Sequence, residues 1–211
     1  PDTPPTPLSA PLKALRHRGL ATVAVTALLY NVGFFTLLAF TPFPLDLSAH
    51  GTGLVFFGWG LFLAIASVLV APCVQRRVGP VPGIVGALVG FALVLVAMAL
   101  WTDSKSVLIV CVVVAGGFLG VNNTLITETV MKAAPVERGV ASAAYSFMRF
   151  GGAAVAPWLA GVLGERVSVH LPFWVGAAAV LAGAGVLALT ARHLSGIDTP
   201  EDEVEEITEQ A

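Results

Sequence analysis

Two charged side chains stand inside stretches otherwise built from Ala, Val, Leu, Gly and Phe. Glu128 lies about one turn from the end of the apolar run 106–131, and Arg149 sits ten residues into the run 139–163. In hydrocarbon a lone charge costs at least about 2.5 kcal/mol, so each needs a partner or water. The Arg stem reaches several ångströms and its planar fork matches a carboxylate. Glu128 and Arg149 are therefore expected to pair, either as a fixed latch between two helices or as a device in which Glu128 takes up and releases a proton. Neutral polar groups accompany them. Gly116, Gly120, Thr124 and Glu128 recur every four residues, with Asn123 and Thr127 in the neighbouring row and Asn122 beside them; helical spacing puts each row on one face. Such a face can wall a polar cavity, and it can also glue helices together through small residues and hydrogen bonds. An earlier run offers Tyr30, Asn31 and Phe35, with Phe34 and Leu38 close by. Aromatic groups beside an amide suit a greasy, partly polar ligand, although ordinary packing accounts for the phenylalanines as well. Pro157, inside the run 139–163, removes a backbone hydrogen bond and is expected to bend its helix.

Other chemistries find no support. The sequence has no GxSxG or SxxK nucleophile, no HExxH, and no Cys/His cluster at metal spacing, so an enzyme, a metal site and a cofactor are not expected. No glycine-rich loop opens a helix in the manner that cradles phosphate. Cys73 and Cys111 are too few and too poorly placed for a disulfide framework. His17, His50, His170 and His193 fall at or beyond the ends of the apolar runs, where interfacial or solvated rings are expected. Nothing points to nucleic acid.

The elements that must position these groups follow from composition. Of 211 residues 56% are hydrophobic and 11% charged, with mean hydropathy +0.87, against roughly 25% charged in an ordinary soluble domain. A hydrocarbon core about 30 Å thick takes roughly 20 apolar helical residues to cross. Runs of that size recur at 19–41, 52–71, 82–101, 106–131, 139–163 and 172–191, separated by Pro, Gly, Asp or paired Arg. The expected fold is thus an all-α integral membrane bundle of six spans. Lys13, Arg16, Arg18, Arg76, Arg77, Lys132, Arg138 and Arg192 fall on one side of it, and only Lys105 and Arg166 on the other. Retention of basic residues inside places both termini in the cytoplasm. Residues 1–18 read as a Pro-rich cytoplasmic linker, 19–194 as the bundle and 195–211 as a disordered acidic tail. Seven acids lie past Ser195 with no Lys or Arg; the remainder has eleven Lys and Arg against six acids, a net of +5 that suits the surface of a lipid bilayer.

Polar side chains repeat with a rhythm of three spans. The first and fourth are the polar ones, while the third and sixth are almost purely Ala, Gly, Val and Leu. Amides and carboxyls must face protein or water, so the first and fourth spans are expected to line something wet, and the chain reads as two three-helix repeats.

The run ERGVASAAYSFMRFGGAAVAPWLAG, Glu137 to Gly161, resembles the fifth helix of the C-terminal half of major facilitator superfamily drug/proton antiporters. Arg138, Gly139, Ser142, Arg149, Gly151, Ala156 and Pro157 carry the likeness. The segment PCVQRRVGPV is similar to a degenerate copy of the superfamily's basic loop motif, G-x-x-x-D-R-x-G-R-R: Arg77 and Gly79 match, whereas Pro72, Arg76, Pro80 and Val81 depart and the Asp is missing. The resemblance covers roughly Leu12 to Leu194. It implies half of a twelve-helix secondary transporter of the bacterial inner membrane, with a small-molecule substrate held between the halves, protons as coupling ion and an N-terminal six-helix half as partner. Export of amphiphilic compounds is the leading expectation. A dedicated metabolite or siderophore exporter, and a membrane anchor or assembly protein that transports nothing, are its rivals.

Overall fold

The computed structural model describes residues 13–132 and 138–190, which are helical throughout apart from short connections. The expected tail 195–211, residues 191–194 and most of the linker lie outside the described residues. Six helices are long and apolar enough to cross a bilayer: Arg18–Leu45, Ala49–Val78, Pro80–Leu100, Lys105–Met131, Gly139–Arg166 and Leu171–Thr190. They are referred to as the first to sixth spans.

The breaks between spans have local causes. Asp46 closes the first span in the left-handed conformation (φ 45°), its N–H bonded to the Pro42 carbonyl at 3.2 Å. Ser48 then caps the second span by accepting from the Gly51 N–H at 3.2 Å. Gly79, at φ 84°, separates the second and third spans in a conformation that only glycine adopts freely. Thr102 donates to the Met98 carbonyl at 2.6 Å and caps the end of the third. His170 is half-buried, its Nδ1 2.8 Å from the Ala99 carbonyl, so this ring ties the fifth-to-sixth connection to the third span and is not simply solvated.

The second span runs further than its apolar core. Pro72 has no N–H for the carbonyl one turn back, and the helix passes it through a π turn at Ala66–Val70 before continuing to Val78. Arg76 and Arg77, expected in a loop, therefore sit exposed in the last helical turn, where positive charge complements the helix dipole. The Arg76 Nε donates to the Pro72 carbonyl at 3.3 Å.

Packing repeats in threes. The first span lies along the fifth and sixth, the fourth along the second and third, and the third against the sixth. Exchanging first with fourth, second with fifth and third with sixth leaves this scheme unchanged, which is how two three-helix repeats related by a twofold must associate. Small residues set the closest approaches. A Cβ on Gly116 or Gly120 would run into the backbone carbonyls of Trp59 and Leu63 in the second span, and one on Gly152 would meet the Leu28 carbonyl of the first at 2.6 Å.

The second and fifth spans are the least buried of the six. Only 17% of the most apolar stretch of the second and of the fifth span is buried, against 61% in the first and 56% in both the third and fourth. Lacking polar side chains, the third and sixth spans can face lipid, but their Ala and Gly also let them pack closely on each other. Each keeps one exposed apolar edge, Val89 and Leu93 on the third, Leu181 and Leu189 on the sixth. The second and fifth carry broad apolar faces that include Leu54, Phe57 and Leu61, and Phe147, Phe150 and Trp158.

Candidate functional site

The polar side chains of the first, fourth and fifth spans meet at one place inside the bundle. Tyr30 is fully buried, and its hydroxyl lies 3.3 Å from Asn123 Oδ1 and 3.3 Å from the Tyr145 hydroxyl. A phenol has one proton to give and can still accept, so Tyr30 donates to the amide oxygen while the Tyr145 O–H donates to it. Helical spacing explains the alignment: Tyr145 precedes Arg149 by four residues on one face of the fifth span. Arg149 is half-buried beside Tyr145, its guanidinium carbon 5.9 Å from the Phe150 ring centroid and its Nε without a partner.

The remaining candidates divide by position. Asn31 is fully buried and bonds back to the Ala27 carbonyl at 2.8 Å, leaving its Oδ1 unpartnered. Asn122 is also buried, and neither its Oδ1 nor its Nδ2 has a partner. Buried polar atoms in that condition cost about 1–3 kcal/mol each unless water, a ligand or another conformation satisfies them. Phe35 is half-buried, edge-on to Phe34 at 4.9 Å. Phe34 in turn stacks on Trp59, ring centroids 6.0 Å apart, and the Trp59 Nε1 is buried without an acceptor. Thr127 and Glu128 are exposed, Thr127 donating to the Asn123 carbonyl at 2.7 Å. Thr124 and Ser67 both donate to the Gly120 carbonyl at 3.1 Å, which ties the π turn of the second span to the fourth.

Glu128 and Arg149 are not brought together. The fourth and fifth spans, though consecutive, barely touch, because each packs on other helices. Among the described residues the one ion pair is Lys105 with Asp46, 3.5 Å apart and solvent-exposed. Removing the Glu128 charge is therefore expected to leave the fold alone. Purified Glu128→Gln should melt within about 2 °C of the wild type, and a larger drop in a thermal unfolding assay would mean that the carboxylate holds a contact.

Pro157 lies inside one continuous helix, Arg138–Arg166. An apolar crevice of about 310 Å³ opens between the second, third and fourth spans, against Val74, Gly83, Gly86, Phe118 and Val121. None of the polar candidates reaches it. Among the described residues no three His, Cys, Asp or Glu side chains gather as metal ligands, and Cys73 and Cys111 are both free. Tyr145 is the member of the polar cluster that sequence reasoning passed over; its signal was the four-residue step to Arg149.

A helical bundle with its amides and phenols turned inward and an internal three-span symmetry matches the comparisons with known proteins. The family model described as Major Facilitator Superfamily matches residues 20–209. A protein of Bacillus subtilis (strain 168) named multidrug efflux protein YfmO is 52% identical over 186 residues, which is 88% of this chain. The chain spans 47% of that relative's length, in keeping with six spans where the resemblance implies twelve. With nearly its whole length covered by the family's pattern and its six apolar helices arranged as two repeats, the chain is a multi-pass membrane protein and belongs to the major facilitator superfamily.

Proposed function

We propose that this chain is the C-terminal half of a secondary exporter that carries small amphiphilic molecules out across the bacterial inner membrane. An N-terminal six-helix half completes it, and the two halves rock against each other to expose a shared cavity to either side. The observation that carries the reading is the cluster of Tyr30, Asn123 and Tyr145 in an otherwise apolar interior. Polar groups at that depth carry a desolvation cost that hydrocarbon side chains would not, which marks them as a functional-site candidate. Asn31, through its Oδ1, and Asn122, through both its amide atoms, add buried hydrogen-bonding capacity without a partner in the described residues. Support for export comes from the relative named as a multidrug efflux protein.

In this reading Tyr30, Asn31, Phe35, Asn122, Asn123 and Thr127 face the substrate path during the cycle, and both termini lie in the cytoplasm beside the basic ends of the spans. Protons drive the cycle. Glu128 is a carboxylate in the fourth span, exposed and not held by Arg149, and serves as a group that takes up and releases a proton. Arg76, Arg77 and Gly79 form the cytoplasmic turn, and Pro157 gives the fifth helix a point of flexure.

The test is efflux of neutral, cationic and anionic lipophilic dyes by the complete transporter under an imposed pH gradient. Asn123→Ala and Glu128→Gln, inserted at wild-type level, are each expected to slow efflux by tenfold or more. Wild-type efflux in both would remove the cavity and the coupling role together. Loss in Asn123→Ala alone would keep the cavity and assign coupling elsewhere.

A further inference from the structure

We infer that Arg149, Tyr145 and Tyr30 form the subsite that receives the anionic head of an amphiphilic substrate, such as an arylcarboxylate; this rests on the exporter reading above. Arg149 stands eleven residues from Arg138 and seventeen from Arg166 in one unbroken helix. At 1.5 Å per residue that is about 16 Å from one end and 26 Å from the other, well inside the hydrocarbon zone.

No carboxylate of the described residues neutralises it. Asp46 is engaged with Lys105, and Asp103, Glu128 and Glu165 are exposed without an ion pair to it. Its Nε is buried and without an acceptor, while an aromatic ring, Phe150, lies alongside. The surroundings add donors and few acceptors. The guanidinium brings five N–H groups and the two phenols bring two O–H groups, yet within the cluster only the phenol oxygens and Asn123 Oδ1 receive them.

A site with surplus donors, one fixed positive charge and an aromatic ring alongside is complementary to a carboxylate on an aromatic body. The guanidinium fork would grip both oxygens. A Tyr145 proton redirected from Tyr30 to the ligand would free the Tyr30–Asn123 contact to rearrange, so binding at the fifth span would reach the fourth through Tyr30.

The experiment compares binding of pyrene-1-acetate and its carboxamide, which differ by one charge, to the complete transporter in nanodiscs, with empty nanodiscs subtracted. The wild type is expected to bind the carboxylate at least tenfold more tightly. Arg149→Gln should bring the two affinities within twofold, Arg149→Lys should keep part of the preference, and Tyr145→Phe should reduce it about threefold. Should Arg149→Gln fail to fold, an undiminished preference in both Arg149→Lys and Tyr145→Phe overturns the inference. So does a preference that survives Arg149→Gln, as it would if a carboxylate elsewhere in the transporter occupied the guanidinium. A wild type that exports lipophilic dyes but binds both compounds equally overturns this subsite and leaves the exporter standing. One that exports nothing above empty vesicles removes both.

Discussion

Gly116→Ala is expected to destabilise the protein, although Gly→Ala in a helix interior ordinarily adds up to about 1 kcal/mol. The new methyl would enter the carbonyl group of Trp59, part of the neighbouring helix's backbone, where no side chain can rotate away. Overpacking of that kind costs about 1–3 kcal/mol, so it exceeds the propensity gain. The second span must move outward, and the Gly120 contact with Leu63 one turn along would open with it. The melting temperature should fall by several degrees, and Gly116→Leu should prevent stable insertion. Gly60 and Gly161 supply the control, since nothing lies within 4 Å of a Cβ at either position. Alanine there should leave the melting temperature unchanged or raise it slightly. Equal loss at all of these sites would mean that the glycines act through helix flexibility and not through close approach.

Tyr30→Phe should have the second largest effect, because one oxygen serves two partners. Its removal leaves Asn123 Oδ1 and the buried Tyr145 hydroxyl without their shared contact. Unsatisfied groups of this kind cost about 1–3 kcal/mol, which is a fall of about 2–12 °C in melting temperature for a chain of this size. Asn123→Ala removes one of the same bonds. In a double-mutant cycle the pair should show a coupling of about 0.5–1.5 kcal/mol, with the double variant little worse than Tyr30→Phe alone. Additive losses would show that the 3.3 Å contact contributes nothing. Dye efflux measured on the same variants separates roles: a cluster that only holds helices together loses stability and function in step, whereas one that touches substrate loses transport at temperatures where the protein is fully folded.

The arrangement of exposed faces gives these effects a setting. The second and fifth spans present aromatic and aliphatic side chains outward, while the fifth also carries Tyr145 and Arg149 of the polar cluster. In a two-half transporter such faces would be covered by the other half or by lipid. Arg149 and Tyr145 lie on the fifth span, so any movement of that helix against the first would be felt at the Tyr30 hydroxyl. Gly152 on the Leu28 carbonyl fixes the separation of those two helices at the same level.

Much of this was written in the order of the residues. The six spans fall within a few residues of where apolar run length puts them, because crossing hydrocarbon is a demand each segment meets alone. The exception, the second span, continued past Pro72 since a π turn can absorb a missing N–H, and run length carries no sign of that. The polar rhythm likewise announced the paired three-helix units. What the sequence could not decide was which faces meet. In lipid, helices gain nothing from hiding apolar surface and associate through close packing and scattered hydrogen bonds. Those depend on residues far apart along the chain, such as Tyr30 with Asn123 and Tyr145. Thus Glu128 and Arg149, neighbours by connectivity, were separated by helices that packed elsewhere, and Tyr145, unremarkable in its own segment, came to join three spans. Local chemistry determined what crosses the membrane; the fit of small residues against foreign backbone decided who stands beside whom, and so where a charge is left waiting for a partner.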